Sequence, residues 1–241
     1  MRLISVWTAL ILSIAPASAT QMSVSWSSLV DQQAQTFEDP FKALSVRELS
    51  DLSTVERLRK RLESDEVADE ARPRLVERLR LKENGLKEAG IDPDWLLSQR
   101  WAIAEKRKTA AWAVNAALDG RTVELRGYLL VAGSLSEKKV LPYLVPELGM
   151  CSHTPPPAPN NLVQLKLPSN TNYPEKPYAF VEITGTLHAS PDSVLARVVD
   201  GQLVMASAWA FKVDAMNVIT PNASEKPAQS PDHWPVVPET Q

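Results

Sequence analysis

Residues 119–132 read DGRTVELRGYLLVA, and the spacing of apolar residues changes there. Before Arg121 apolar side chains recur every three or four positions, the helical period. After it they alternate, the strand period. Val123, Leu125, Leu129 and Val131 are expected on one buried face of the first long strand. The chain therefore divides at about residue 119 into a helical part and a β part, an α+β arrangement.

Upstream, residues 53–118 read as a charged helical region. Ser53-Thr54-Val55-Glu56 fits an S-x-x-E capping box, followed by an apolar stripe at Val55, Leu58 and Leu62. Pro73 suits the first turn of a second helix, striped by Leu75, Val76, Leu79 and Leu86 and stopped by Gly90. Asp92 before Pro93 is an N-cap followed by proline at the first helical position. The third helix is expected to run to Leu118, with Leu97, Trp101, Ala104, Lys108 and Trp112 along its packed side. Residues 20–52 form an N-terminal arm docked by Trp26 and Leu29.

Downstream, KVLPYLVPE, NLVQLKL and YAFVEITGTLHA read as further strands, with Pro142 and Pro146 marking an edge. In the last of these, Ala179, Val181, Ile183 and Leu187 share one face. A hairpin about Asp200-Gly201 follows. Gly127 and Gly185 fall inside strands, where glycine marks a bulge or bend. Five or six short strands with interior bends predict a small OB-like antiparallel β-barrel over residues 119–220, with an immunoglobulin-like sandwich as the alternative. Residues 221–241 are proline-rich and polar, which predicts a disordered tail containing His233-Trp234.

The N-terminus predicts the compartment. Arg2, an apolar run over residues 3–14 and Ala17-Ser18-Ala19 form a secretory signal peptide cleaved after Ala19. The expected location is the periplasm. The net charge of −3 argues against a nucleic-acid partner, which needs a basic footprint. No G-x-S-x-G, Walker or Rossmann fingerprint occurs, so esterase, nucleotide and dinucleotide readings fall away and a non-enzymatic role is expected.

The chain's single cysteine lies in GMCSHTPPPAPNN, residues 149–161. One cysteine makes no internal disulfide, so four readings stand open. Cys151 is a buried packing residue, a metal ligand, a reactive thiol, or an intermolecular disulfide partner. On extended chain residues two apart point the same way, so Cys151 and His153 suit Zn²⁺ or Cu⁺, with His188 or Glu147 as a further ligand. An imidazole beside the thiol also suits nucleophilic chemistry. Pro155, Pro156, Pro157 and Pro159 make a stiff rod that loses little entropy on docking, and Asn160 and Asn161 suit the turn beyond it.

Three elements together carry a resemblance: Leu118-Asp119-Gly120 with Val123 and Gly127-Tyr128, then Leu144-Val145-Pro146, then C-x-H-x-P-P-P-x-P-N from Cys151 to Asn160. Over residues 118–220 the chain resembles a bacterial family of secreted proteins classed as a domain of unknown function. The resemblance implies an envelope accessory role beside ABC-type transporters, some linked to zinc supply. It also implies that the helical region is an insertion.

Overall fold

The computed structural model describes residues 22–64, 67–135, 140–151, 156–168, 171, 178–198 and 201–221. The expected signal peptide, His153, Pro155 and the tail beyond Pro221 lie outside the described residues. Among those described, helices and strands follow one another as β1 (Met22–Ser23), α1 (Trp26–Leu29), α2 (Val46–Glu63), α3 (Arg72–Glu88), α4 (Pro93–Trp112), β2 (Thr122–Ser134), β3 (Val140–Val145), β4 (Val163–Lys166), β5 (Phe180–Val198) and β6 (Gly201–Val218). The fold is mixed α+β, with a six-stranded sheet formed mainly by the residues after the helices.

α2 starts earlier than the expected box. Ser45 Oγ accepts from the Glu48 amide at 3.3 Å, and Glu48 Oε2 accepts from the Ser45 amide at 2.6 Å. This second S-x-x-E string lies upstream, and its serine has the extended backbone that a cap requires. Ser53-Thr54-Val55-Glu56 is helix interior, where the Thr54 hydroxyl donates to the Ser50 carbonyl. α4 starts as expected, with Asp92 Oδ1 accepting from the Asp94 and Trp95 amides.

The helices bury Leu52, Val55, Leu86 and Leu96 in a small core of their own. Arg59 on α2 lies 2.6 Å from both Glu83 on α3 and Asp94 on α4. Two expectations for α4 are corrected. It ends at Trp112 and gives way to a 3-10 turn at Ala116–Leu118. Its buried face carries Leu96, Ile103 and Ala110, while Trp101 is 66% exposed beneath the Arg100 guanidinium. Leu96, Ile103 and Ala110 recur every two turns and line the side packed on the rest of the fold; Trp101 falls outside that stripe.

The sheet order is β1-β2-β3-β4-β6-β5, and β5 pairs again with β2, so β2 to β6 form a closed ring of pairings. Along β2 the β5 partners descend, from Thr186 opposite Thr122 to Phe180 opposite Tyr128. Val181, Ile183 and Leu187 share the ring's core with Leu125, Leu129, Leu144, Val163, Trp209 and Phe211.

β2 departs from simple alternation. Leu129 and Leu130 are both buried, and beyond them burial passes to Ala132, leaving Val131 45% exposed. Neighbouring residues point to opposite faces. Leu129 and Leu144 therefore enter one core, while Leu130, Tyr143 and Val145 enter a second with Ala196 and Met205. β3 is also not an edge strand, since it pairs with both β2 and β4. On β3 the ladder to β4 covers only Tyr143 and Leu144, so Pro142 sits where that ladder requires no donor.

Gly127 admits the arm. A Cβ there would lie 2.8 Å from the Trp26 ring and 2.8 Å from the Val145 carbonyl oxygen. Trp26 Nε1 donates to the Arg126 carbonyl at 2.8 Å, and Leu29 is fully buried, so the arm docks as expected.

Candidate functional site

Residues 146–162 connect β3 to β4, and both ends of this segment are built into the fold. At the first end Gly149 (φ 87°) and Cys151 (φ 66°) are left-handed, and Met150 and Cys151 are buried. The Tyr178 hydroxyl donates to the Met150 carbonyl at 2.9 Å. A left-handed cysteine is strained, and it persists where the surrounding packing dictates the backbone. That packing is the second core, where Cys151 joins Leu130, Tyr143, Val145, Leu162 and Met205.

Burial pushes the Cys151 thiol up to about 12, so the sulfur is S–H at neutral pH. The unfolded thiol ionises from about pH 8.5 while the folded one stays protonated, so this group destabilises the fold as pH rises from there toward the folded value. Wild type is therefore expected to lose stability between about pH 8.5 and 11 beyond any loss in Cys151→Ala, measured by urea unfolding at each pH. Parallel curves for the two proteins would contradict the burial of the thiol.

At the second end, Pro159–Asn161 forms a 3-10 turn. Asn160 is only 2% exposed, and its Nδ2 donates to the Ala110 and Ala113 carbonyls at 2.8 and 3.0 Å. Gln35 Nε2 donates to the same Ala110 carbonyl at 2.8 Å. The last carbonyls of a helix lack intrahelical partners, and here the arm and the proline segment supply them. The turn packs on β6, whose Ala208 and Ala210 are buried on either side of Trp209. Asn160 thus acts within the fold rather than at a contact surface. Between the anchored ends Pro156 is exposed, and Pro157 and Pro159 are half-buried.

The other candidate ligands lie apart. Glu147 is half-buried just beyond β3. His188 is half-exposed on β5, with Nδ1 3.7 Å from Asp119 Oδ1. Among the described residues no three His, Cys, Asp or Glu side chains are gathered to hold a metal ion, so Cys151, Glu147 and His188 do not form such a set. Asp119 has a structural task as well. Its carboxylate accepts from the Ala189 amide at 3.0 Å, and the Gly120 amide donates to the Leu187 carbonyl at 2.8 Å. Leu118-Asp119-Gly120 is therefore the clasp between the helical part and β5.

A polar set on the Tyr143 face is not apparent from the sequence. Gln164 Nε2 donates to Asp192 Oδ2 at 3.4 Å, and Lys166 Nζ donates to Gln164 Oε1. The Tyr143 phenol lies beside Gln164 but outside hydrogen-bonding geometry, and burial raises its pKa. Alternation in NLVQLKL places Gln164 and Lys166 on one face, but only strand pairing brings Tyr143 and Asp192 to them.

A family model described as protein of unknown function (DUF3299) matches residues 26–207. The chain belongs to the DUF3299 family. The DUF3299 match takes in most of the arm and all four helices, so the helical block lies within the family's span rather than outside it. The chain is also similar to a crystal structure of a DUF3299 family protein from Pseudomonas aeruginosa PAO1. Identity is 23%, with 46% of this chain and 68% of that chain covered at a TM-score of 0.36. Comparison with curated proteins finds no match. No helix among the described residues is long and apolar enough to cross a membrane.

Proposed function

We propose that the chain is a periplasmic accessory protein of a cell-envelope system, and that it works by binding a protein partner rather than by catalysis. The observation that carries this reading is the double anchoring of the proline segment. Cys151 is packed into a core at one end, and Asn160 is bound to the end of α4 at the other. With the chain fixed at Cys151 and at Asn160, exposed Pro156 and half-buried Pro157 have little ordering entropy left to lose on docking. The burial of Cys151 among the apolar side chains of the second core favours this reading over ligation of Zn²⁺ or Cu⁺ by Cys151.

The scaffold in this reading is an OB-like barrel. Taken alone, β2 to β6 close in the order first, second, third, fifth, fourth, and the third and fifth strands run parallel. A five-stranded ring of this kind supports the OB arrangement. The partner is an envelope protein, and the family resemblance points to a component of an ABC-type transporter. Entry to the periplasm rests on the signal peptide over residues 1–19.

The test is co-purification from envelope membranes using the full tagged chain. A double variant, Pro156→Ser with Pro157→Ser, should fold with an unchanged melting temperature and recover at least about tenfold less partner, the equivalent of about 1.4 kcal/mol. Undiminished recovery by that variant would refute the role of the segment.

A further inference from the structure

The strands around the second core carry two hydroxyls that protein atoms leave unmatched. Tyr143 and Ser207 are each 1% exposed, and neither Tyr143 Oη nor Ser207 Oγ makes a hydrogen bond. A buried hydroxyl without a partner is costly, and ordered internal water is the usual way such groups are satisfied.

The strand register draws both hydroxyls into one polar set. Tyr143 stands directly opposite Gln164 on β3 and β4, so their side chains share a face. Asp192 stands directly opposite Ser207 on β5 and β6, and these two also share a face. The Gln164–Asp192 hydrogen bond joins the two pairs. Cys151 and its apolar neighbours pack around Tyr143, and exposed Lys166 binds Gln164 from the solvent side. Asp192 and Gln164 add a donor and acceptors to the two hydroxyls, which meets the two to four polar partners that a buried water requires. Trp209 Nε1 is also unmatched, and Trp209 belongs to the other core.

We propose that Tyr143, Gln164, Asp192 and Ser207 form a built-in site for one ordered water molecule, which links β3 and β4 to the β5–β6 hairpin. The water bridges the two hydroxyls, donates to the Asp192 carboxylate, and ties together strands far apart in the chain. The site is independent of any partner on the proline segment.

Two measurements test it. A high-resolution crystal structure of the wild-type protein should show a water peak within hydrogen-bonding distance of both Tyr143 Oη and Ser207 Oγ. Tyr143→Phe and Ser207→Ala should each lower the melting temperature by about 2–4 °C. The double variant should lose clearly less than the sum, because each single variant already loosens the same water. The proposal is overturned if the crystal shows no water between the two hydroxyls. It is equally overturned if Tyr143→Phe leaves the melting temperature unchanged or raises it, since removing a merely unpaired hydroxyl relieves a cost, or if the two losses add in full.

Discussion

Arg107→Ala should destabilise the protein by about 3–5 kcal/mol, more than Asp39→Ala does. Arg107 Nε and Nη2 donate to the two Asp39 oxygens at 2.8 and 2.9 Å, and Asp39 Oδ1 also accepts from the Phe41 amide at 3.1 Å. The pair fastens the 3-10 turn Pro40–Ala43 to α4 and so holds the arm on the helical block. The partners are unequally placed. The Asp39 side chain is 1% exposed and that of Arg107 20%. Removing the arginine strands a carboxylate away from water. Removing the aspartate leaves a guanidinium that reaches solvent and still lies over the Phe41 ring. The double variant should lose less than the sum of the two, since it strands no charge. Urea unfolding of the three variants decides it. A cost below about 1 kcal/mol for Arg107→Ala would place the pair with ordinary surface ion pairs.

Gly185→Ala should be similarly damaging, at about 3 kcal/mol, the upper end of common overpacking effects. A Cβ at 185 would lie 2.0 Å from the Lys212 carbonyl oxygen and 2.8 Å from the Phe211 ring. The near neighbour is backbone, so no side-chain rotation relieves the clash. The register between β5 and β6 also shifts at this point, from Thr184 opposite Ala215 to Gly185 opposite Val213. Bulges of this kind bend the strand pair, so the added methyl acts on the bend that lets β5 close onto β2. Gly133→Ala is the control, because a Cβ there meets only Arg197 atoms at 4.0 Å. Thermal melts should show a drop of about 6–12 °C for Gly185→Ala and little change for Gly133→Ala. Equal melting temperatures would show that ring closure does not depend on the bulge.

The class of fold was legible because period changes are local. The break at Arg121, the caps at Asp92 and Gly90, and the faces of residues 179–187 depend only on near neighbours in the chain. What the sequence hid depends on pairing. Val131 alternates correctly with Leu129, yet burial crosses to Leu130 as β2 serves two cores. Pro142 carries an edge signal, yet β3 pairs on both sides, and the proline is tolerated because the ladder to β4 covers only Tyr143 and Leu144. At the site, a cysteine beside a histidine suggests ligand chemistry. Its apolar surroundings come from Leu130, Tyr143 and Met205, none of them near it in sequence. Asn160 suits a turn, as its residue type predicts, but the helix end that it caps lies 47 to 50 residues earlier.

A photo-crosslinking residue placed at position 156 of the full chain, expressed with its own N-terminal segment, tests most directly whether the proline segment meets a partner. The same residue at Val76, exposed on α3, serves as the reference. One discrete envelope protein attached through position 156 and absent from position 76 is the expected result. No adduct at 156, or the same adducts from both positions, would contradict a docking role for the segment held between Cys151 and Asn160.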